Sequence, residues 1–391
     1  MAKKDKELSK DLFQPADISS DKGEELGRPE ISYWKDSWNR LKKNKAAVLG
    51  LITLLFIGFM AIAGPYMNKY EFDETNYDAK NLPPRVPGIE NVEWLDWLGL
   101  NGTRTVAVQG ADPEDALQRG IEAFELDGID YTHKVVREYD ASRPNPDERW
   151  AEVEITFNDY EARGLEEHYY WFGTDAMGRD LFTRTWKGTQ ISLYIGILAA
   201  AIDMVIGVAY GGISAYYGGR VDNYMQRIIE VLVGIPNLVV VILMIILLDP
   251  GLIAITIALT ITGWVGMARI VRGQILKLKS QEFVLASRTL GATDSRIINK
   301  HLIPNVTGMI IIQTMFTIPN AIFFEAFLSF IGLGLQPPLA SLGTLIDDAF
   351  KSLQIYPYML VFPAIVISLL MIAFNVLADG LRDALDPKMR E

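Results

Sequence analysis

Two acidic side chains, Asp203 and Glu325, sit inside long apolar runs of this chain. An ionised carboxylate in hydrocarbon is costly, so an acid retained there marks a polar path, a buried partner or a reactive group. As a pair the two could share acid–base hydrolysis, although neither lies in a protease-like motif. Glu325 follows Pro319, Asn320 and Phe324 in one run. A proline there kinks a helix and exposes backbone to a cavity. Asp203, Pro319, Asn320, Phe324 and Glu325 are therefore the candidate lining of a path, with Glu325 suited to meeting a positive amino terminus. The competing reading makes Glu325 a buried acid bonded to a neighbouring subunit. Other chemistries are excluded. Cysteine is absent, which removes thiolates and disulfides. The three histidines, His133, His168 and His301, are too scattered for a metal site, and no metal ligands are expected. No GxxxxGK[ST] loop occurs, so any ATP is bound by another protein.

A second group of residues suits mechanical work. The segment from Gln281 to Asn305 joins two apolar runs and carries mixed charge. Glu282 to Leu290 has a helical pattern, Gly291-Ala292-Thr293 breaks it, and Thr293 or Asp294 can cap a second helix running from Arg296 to Leu302 and Pro304. Glycine at the turn bends the backbone without a steric penalty. A protruding helix–turn–helix of this kind fits a groove in a partner and transmits force as a rigid body. Glu282, Leu285, Ala286, Ser287, Arg288, Gly291, Ala292, Asp294 and Arg296 are its candidate contact residues.

These residues must be positioned by membrane helices. Half of the 391 residues are hydrophobic, gathered in runs between charged segments. Six spans are expected: Ala46 to Ala63, Ile191 to Tyr216, Ile228 to Leu248 (closed by Asp249-Pro250-Gly251), Leu252 to Ala268, Val306 to Leu335 and Tyr358 to Leu377. The first lies too far along for a simple signal peptide. Arg40, Lys42, Lys43 and Lys45 precede it, and residues 66–170 carry 24 acidic against 10 basic side chains. Two aqueous faces follow, with both termini and the basic loop from Arg269 to Leu302 inside and the acidic block outside. The basic flanks lack a nucleic-acid reader motif, so no nucleic acid is expected.

The chain thus divides into a cytoplasmic tail and interfacial helix (1–45), a first span (46–65), an external acidic insert (66–170) and the main membrane domain (171–388) containing the loop 275–305. Residues 1–29 are polar and expected to be flexible. Trp34, Trp38 and Leu41 recur at helical spacing, as in a helix lying in the inner interface. Within the insert, Thr103 to Val108, Tyr131 to Tyr139 and Trp150 to Phe157 alternate like strands, and Asp112-Pro113-Glu114 opens a helix, giving a small α+β domain. It is suited to docking a partner or gating the outer mouth, or to plain stabilisation. Gly207, Gly211 and Gly212 suit close helix packing, and Asp379, Arg382 and Asp383 a structural ion network.

The segment 281–305 resembles the EAA loop of binding-protein-dependent ABC importer permeases: Ala286, Gly291 and Pro304 match, while Leu285 stands for the usual glutamate, Ser287 for the second alanine and Ile303 for the leucine before the proline. Four further stretches resemble the peptide and nickel subgroup: Phe172–Asp180 (FGTDAMGRD), Gly218–Asp222 (GGRVD), Leu328–Pro338 (LSFIGLGLQPP) and Asp379–Pro387 (DGLRDALDP). The order of the motifs is similar to that in the C-type permease of oligopeptide importers. The resemblance implies an all-α polytopic membrane protein of the type I ABC importer kind, with the insert added. It implies a second homologous permease, two ATP-binding subunits that hold ATP and magnesium, and an extracellular peptide-binding protein. No cofactor is expected on this chain. Oligopeptides are the favoured substrate, with dipeptides or nickel as alternatives. An intramembrane enzyme and a membrane anchor presenting the acidic domain are the rival classes.

Overall fold

The computed structural model describes residues 32–90, 92, 98–138, 150–249 and 251–385. The polar tail, Tyr139, Pro250 and the Pro387 end of the last motif lie outside the described residues.

Helix α1, Tyr33–Lys43, runs to Asn44, whose side chain accepts the Ala47 N–H and starts α2, Lys45–Ala63. Trp34 and Trp38 are exposed on α1, while Leu41 packs with Ala47, Leu377 and Ala384. One face of α1 is thus fixed to the bundle and its tryptophans point away from it.

Between α2 and the next long helix the chain forms a three-stranded antiparallel sheet. Strand β1, Thr103–Gly110, leads to α3, Pro113–Ala123, which is capped by Asp112. Strand β2, Tyr131–Arg137, and β3, Ala151–Asn158, complete the sheet in the order β1-β3-β2. Val106 pairs with Ile155 and Val108 with Val153. The period-two pattern of β3 follows from its central place: Ala151, Val153, Ile155 and Phe157 are buried beneath α3. A short α4, Asp159–Ala162, leads back to the bundle.

The bundle departs from six plain spans. Helix α5, Leu181–Tyr217, has 37 residues and starts ten residues before the expected Ile191. It is about 55 Å long at 1.5 Å per residue, well beyond a hydrocarbon core of about 30 Å. The expected third span is broken: α6, Gly219–Val233, and α7, Asn237–Leu248, meet at a 79° bend. Pro236 supplies no N–H and disfavours helix at the residue before it, and Gly234 precedes them both. Alone, the 12 residues of α7 reach only about 18 Å. Helix α8, Leu252–Leu278, carries Arg269, Arg272 and Lys277 on its own last turns, so the basic loop is shorter than expected. Among the described residues five helices are long and apolar enough to cross a membrane, or six when the bent pair counts as one.

Helix α9, Glu282–Thr289, is followed by a turn and by α10, Asp294–Arg296. Pro304 does not end the second helix as expected. A π-helical stretch, Ile297–Leu302, leads directly into α11, Ile303–Leu328, and Pro304, which gives no N–H to the turn before it, sits at their junction. The fifth run also stops early. A second π turn, Ser329–Leu333, is distorted by Gly332 with φ of 81°, and Leu335 beyond it is not helical. Helices α12, Leu342–Phe350, and α13, Tyr358–Leu385, close the chain.

Helices α5 and α8 make the most intimate contact, through small residues. A Cβ on Gly207 would lie 2.6 Å from the Met267 Cβ, and one on Gly211 would lie 2.3 Å from the Ala268 carbonyl oxygen. Gly212 does not share this role: its nearest neighbour would be 3.7 Å away. Asp379, Arg382 and Asp383 are exposed on α13, and no ion pair joins them among the described residues. The ion network lies elsewhere. Asp222, from the GGRVD turn, accepts from Arg272 Nη2 at 2.6 Å and from the Ser214 hydroxyl, tying α6 to α8 and α5.

Candidate functional site

The protruding segment ends α9 in a Schellman turn. The Ala292 N–H donates to Ser287 O at 3.1 Å and the Gly291 N–H to Arg288 O at 3.0 Å, with φ of 80° at Gly291. Glycine adopts that conformation at no steric cost. Ser287, Arg288 and Ala292 thus shape the turn through their backbone, and Ala292 is half-buried beneath it. Thr293, not Asp294, caps α10 by accepting the Arg296 N–H. Asp294 instead accepts the Tyr216 hydroxyl at 2.6 Å, and the Arg288 guanidinium lies over the same ring. Tyr216, at the end of α5, was not among the expected contact residues; nothing local in the sequence pairs it with Asp294.

Val284, Ile297 and Leu302 anchor the segment in one apolar cluster with Met267, Val271 and Ile275 of α8 and Val306 of α11. Lys279 Nζ adds a bond to the Ala215 carbonyl at 2.7 Å. The opposite face is exposed: Glu282, Leu285, Ala286, Arg288, Gly291, Asp294 and Arg296 all reach solvent. Leu285 is 48% exposed and Leu290, also missed by the sequence pattern, is 87% exposed. The anchored helix thus presents two apolar side chains, Leu285 and Leu290, to solvent.

The second group divides. Asp203, Asn320 and Phe324 line a cavity of about 270 Å³ between α5, α7, α8 and α11. Pro319 and Glu325 do not line it. Glu325 is fully buried and its carboxylate accepts from the Ser329 hydroxyl at 2.8 Å and the Ser192 hydroxyl at 3.2 Å. Ser192 also accepts the Leu342 N–H that starts α12. The partners of Glu325 therefore come from its own chain, and no carboxylate pair is formed with Asp203. A structural role makes a clear prediction. Glu325→Gln retains acceptors and donors of similar shape and is expected to keep most of the thermal stability, while Glu325→Leu orphans two buried hydroxyls and is expected to lose about 2–3 kcal/mol. Thermal unfolding of both variants in detergent decides it; equal losses would argue against the serine cradle.

The FGTDAMGRD stretch forms a joint. The Thr174 hydroxyl donates to Ala79 O and accepts the Leu82 N–H. Asp175 pairs with Arg179 at 2.7 Å, and the Thr174 carbonyl accepts the Tyr358 hydroxyl at 3.2 Å. Asp180 caps α5 by accepting the Thr183 N–H and also accepts the Asn68 amide; burial pushes its carboxyl up, and those donors oppose the shift.

Known proteins match along this chain. The model described as "Binding-protein-dependent transport system inner membrane component" matches residues 204–391, and "N-terminal TM domain of oligopeptide transport permease C" matches residues 32–84. The dipeptide transport system permease protein DppC of Bacillus subtilis (strain 168) is 44% identical over 93% of this chain and 88% of its own length. The oligopeptide transport system permease protein OppC of the same organism is 39% identical over 98% of this chain and 99% of its own. Among solved structures, a chain of the MetNI methionine ABC transporter in an inward-facing form covers 51% of this chain and 96% of itself, with a TM-score of 0.41 and 20% identity. The likeness to the two permeases extends across insert and bundle alike, and by it the chain belongs to the family of binding-protein-dependent transport system inner membrane components, multi-pass permeases of ABC transporters.

Proposed function

We propose that this chain is a permease subunit of an ATP-driven oligopeptide importer in the cell membrane, of the type I kind. The observation that carries the reading is the α9 segment: an exposed apolar tip at Leu285 and Leu290, locked by Gly291 geometry and bolted through Val284 and Ile297 to α5 and α8. A push on that tip moves several membrane helices at once. Two ATP-binding subunits, which hold the ATP and magnesium, supply the push. Ala286, Leu285, Arg288 and Arg296 meet one of them, and Glu282 offers it a charge at the start of α9. With leucine at 285, the contact rests on shape more than on an ion pair.

A second homologous permease completes the path, and an extracellular peptide-binding protein delivers the substrate. The acidic insert faces outward and both termini face the cytoplasm, in keeping with the lysines and arginines before α2 and along the end of α8. Gentle purification of the full chain from its own membrane tests the reading: two ATPases and a second permease are expected with it. Purification alone, with no ATPase, would sink the coupling role. A dipeptide substrate is the second reading, favoured by the 44% identity to DppC; competition of dipeptides and pentapeptides for uptake by the reconstituted importer separates the two.

A further inference from the structure

The cavity beside α11 holds an acid without a partner. Asp203 is only 3% exposed, and its Oδ1 makes no hydrogen bond among the described residues. Its other oxygen rests on Gly263 of α8, where a Cβ would come within 2.4 Å. Glycine at 263 is therefore what makes room for the carboxylate between the two helices. The other polar groups around the space are Asn237, Thr262, Gln313, Thr317 and Asn320, and no lysine, arginine or histidine lines it. The Thr262 hydroxyl donates to Asn237 Oδ1, and the Thr317 hydroxyl donates to its own helix at Gln313 O, which leaves the lone pairs of both hydroxyls for an incoming donor. The cavity is thus lined by neutral hydroxyl and amide groups around one acid whose Oδ1 is unbonded, with the ring of Phe324 at its edge. A buried carboxylate needs a cation or well-placed donors; no cation lines the cavity, and no donor among the described residues bonds its Oδ1. Glu325, in the same bundle, is provided with both of its donors.

We infer that the Asp203 cavity receives a cationic group of the substrate, a protonated amine at the peptide's amino terminus or on a basic side chain, as the peptide passes α11. The inference rests on the permease reading and deepens it. An ammonium offers three donors, which fits one carboxylate and neighbouring hydroxyl and amide oxygens. The volume of about 270 Å³ is smaller than the roughly 300–1,000 Å³ of pockets that enclose a drug-sized ligand. It admits the end of a peptide and not the whole.

The test uses the complete importer with its binding protein in proteoliposomes, and two variants. Asp203→Asn keeps the shape and removes the charge. Thr262→Lys places a fixed ammonium beside Asp203. Uptake of a pentapeptide with a free amino terminus is expected to fall about tenfold in Asp203→Asn, the effect of one charge-assisted hydrogen bond, and to fall as far in Thr262→Lys. Thermal unfolding of the detergent-purified complex adds a second readout. The free-amine peptide at millimolar concentration is expected to raise the wild-type midpoint. The N-acetylated, lysine-free peptide, sodium chloride and potassium chloride are expected not to, and the shift is expected to vanish in Asp203→Asn. An equal shift with the acetylated peptide, with sodium or potassium, or in Asp203→Asn overturns the inference. If wild-type vesicles import no peptide, the permease reading itself fails; if they import and both variants match them, only the cavity assignment fails.

Discussion

Gly291→Trp is expected to leave the importer assembled in the membrane with peptide uptake reduced at least tenfold while ATP hydrolysis continues. A Cβ at Gly291 would meet nothing within 4 Å and the residue is exposed, so a side chain there starts into open space. The backbone cost is the positive φ of 80°, about 1–2 kcal/mol for a residue with a Cβ. The anchors Val284, Ile297 and Leu302 are untouched. Whatever the bulk obstructs must therefore lie outside the chain, against the tip formed with Leu290. Gly291→Ala carries the same backbone cost without the bulk and serves as the control. Its uptake is expected to stay within about threefold of wild type. Leu290→Asp tests the same surface without altering the turn, and is expected to weaken retention of the ATPases in detergent. Wild-type uptake by the Gly291→Trp importer in proteoliposomes would remove this segment from the coupling route.

The Gly291 turn was legible in the sequence because a Schellman turn is local: glycine ends one helical pattern and Thr293 begins another. The strands were legible for a similar reason, since Val153, Ile155 and Phe157 alternate on a strand buried on one face. Hydropathy located the apolar middle of each long helix but not its ends. The first ten residues of α5 include Arg184 and Lys187, and the last turns of α8 carry Arg272 and Lys277, so composition broke off where hydrogen bonding did not. The bend between α6 and α7 follows from Gly234 and Pro236, yet an apolar run masks such a break when only its mean is considered. The two membrane acids show the limit most directly. Asp203 and Glu325 have similar surroundings along the chain. Ser329 is four residues along the chain from Glu325, but the rest of the difference comes from lateral neighbours, Ser192 beside Glu325 and Gly263 beside Asp203. Sequence spacing carries no information about which helix lies alongside which.

Gly178→Ala is expected to be the most destabilising single methyl that the chain can accept at the joint between insert and bundle. Gly178 has φ of 74°, and its Cβ would fall 1.7 Å from the Asn76 carbonyl oxygen. That neighbour is backbone, not a flexible side-chain tip, so the segment 76–79 must move. This segment cannot move alone: Ala79 O accepts from Thr174, and Leu82 N–H donates to the same hydroxyl. Thr174 in turn is bonded by Tyr358 at the start of α13, while Asp175, through Arg179, holds the turn on which Gly178 sits. The left-handed backbone costs about 1–2 kcal/mol, and overpacking adds about 1–3 kcal/mol. A total near 3 kcal/mol is a large part of a typical domain's stability. Gly164→Ala separates the two contributions, since Gly164 has φ of 64° and open space around it. It is expected to cost only the backbone part. The difference between the two midpoints in thermal unfolding of the purified complex therefore measures the joint itself. Equal midpoints for the two variants would mean that the contact between Gly178 and Asn76 does not hold the strand-bearing insert to the helices, and that the other bonds there, those of Thr174 to Ala79 and Leu82 and of Arg104 to Tyr356, hold it instead.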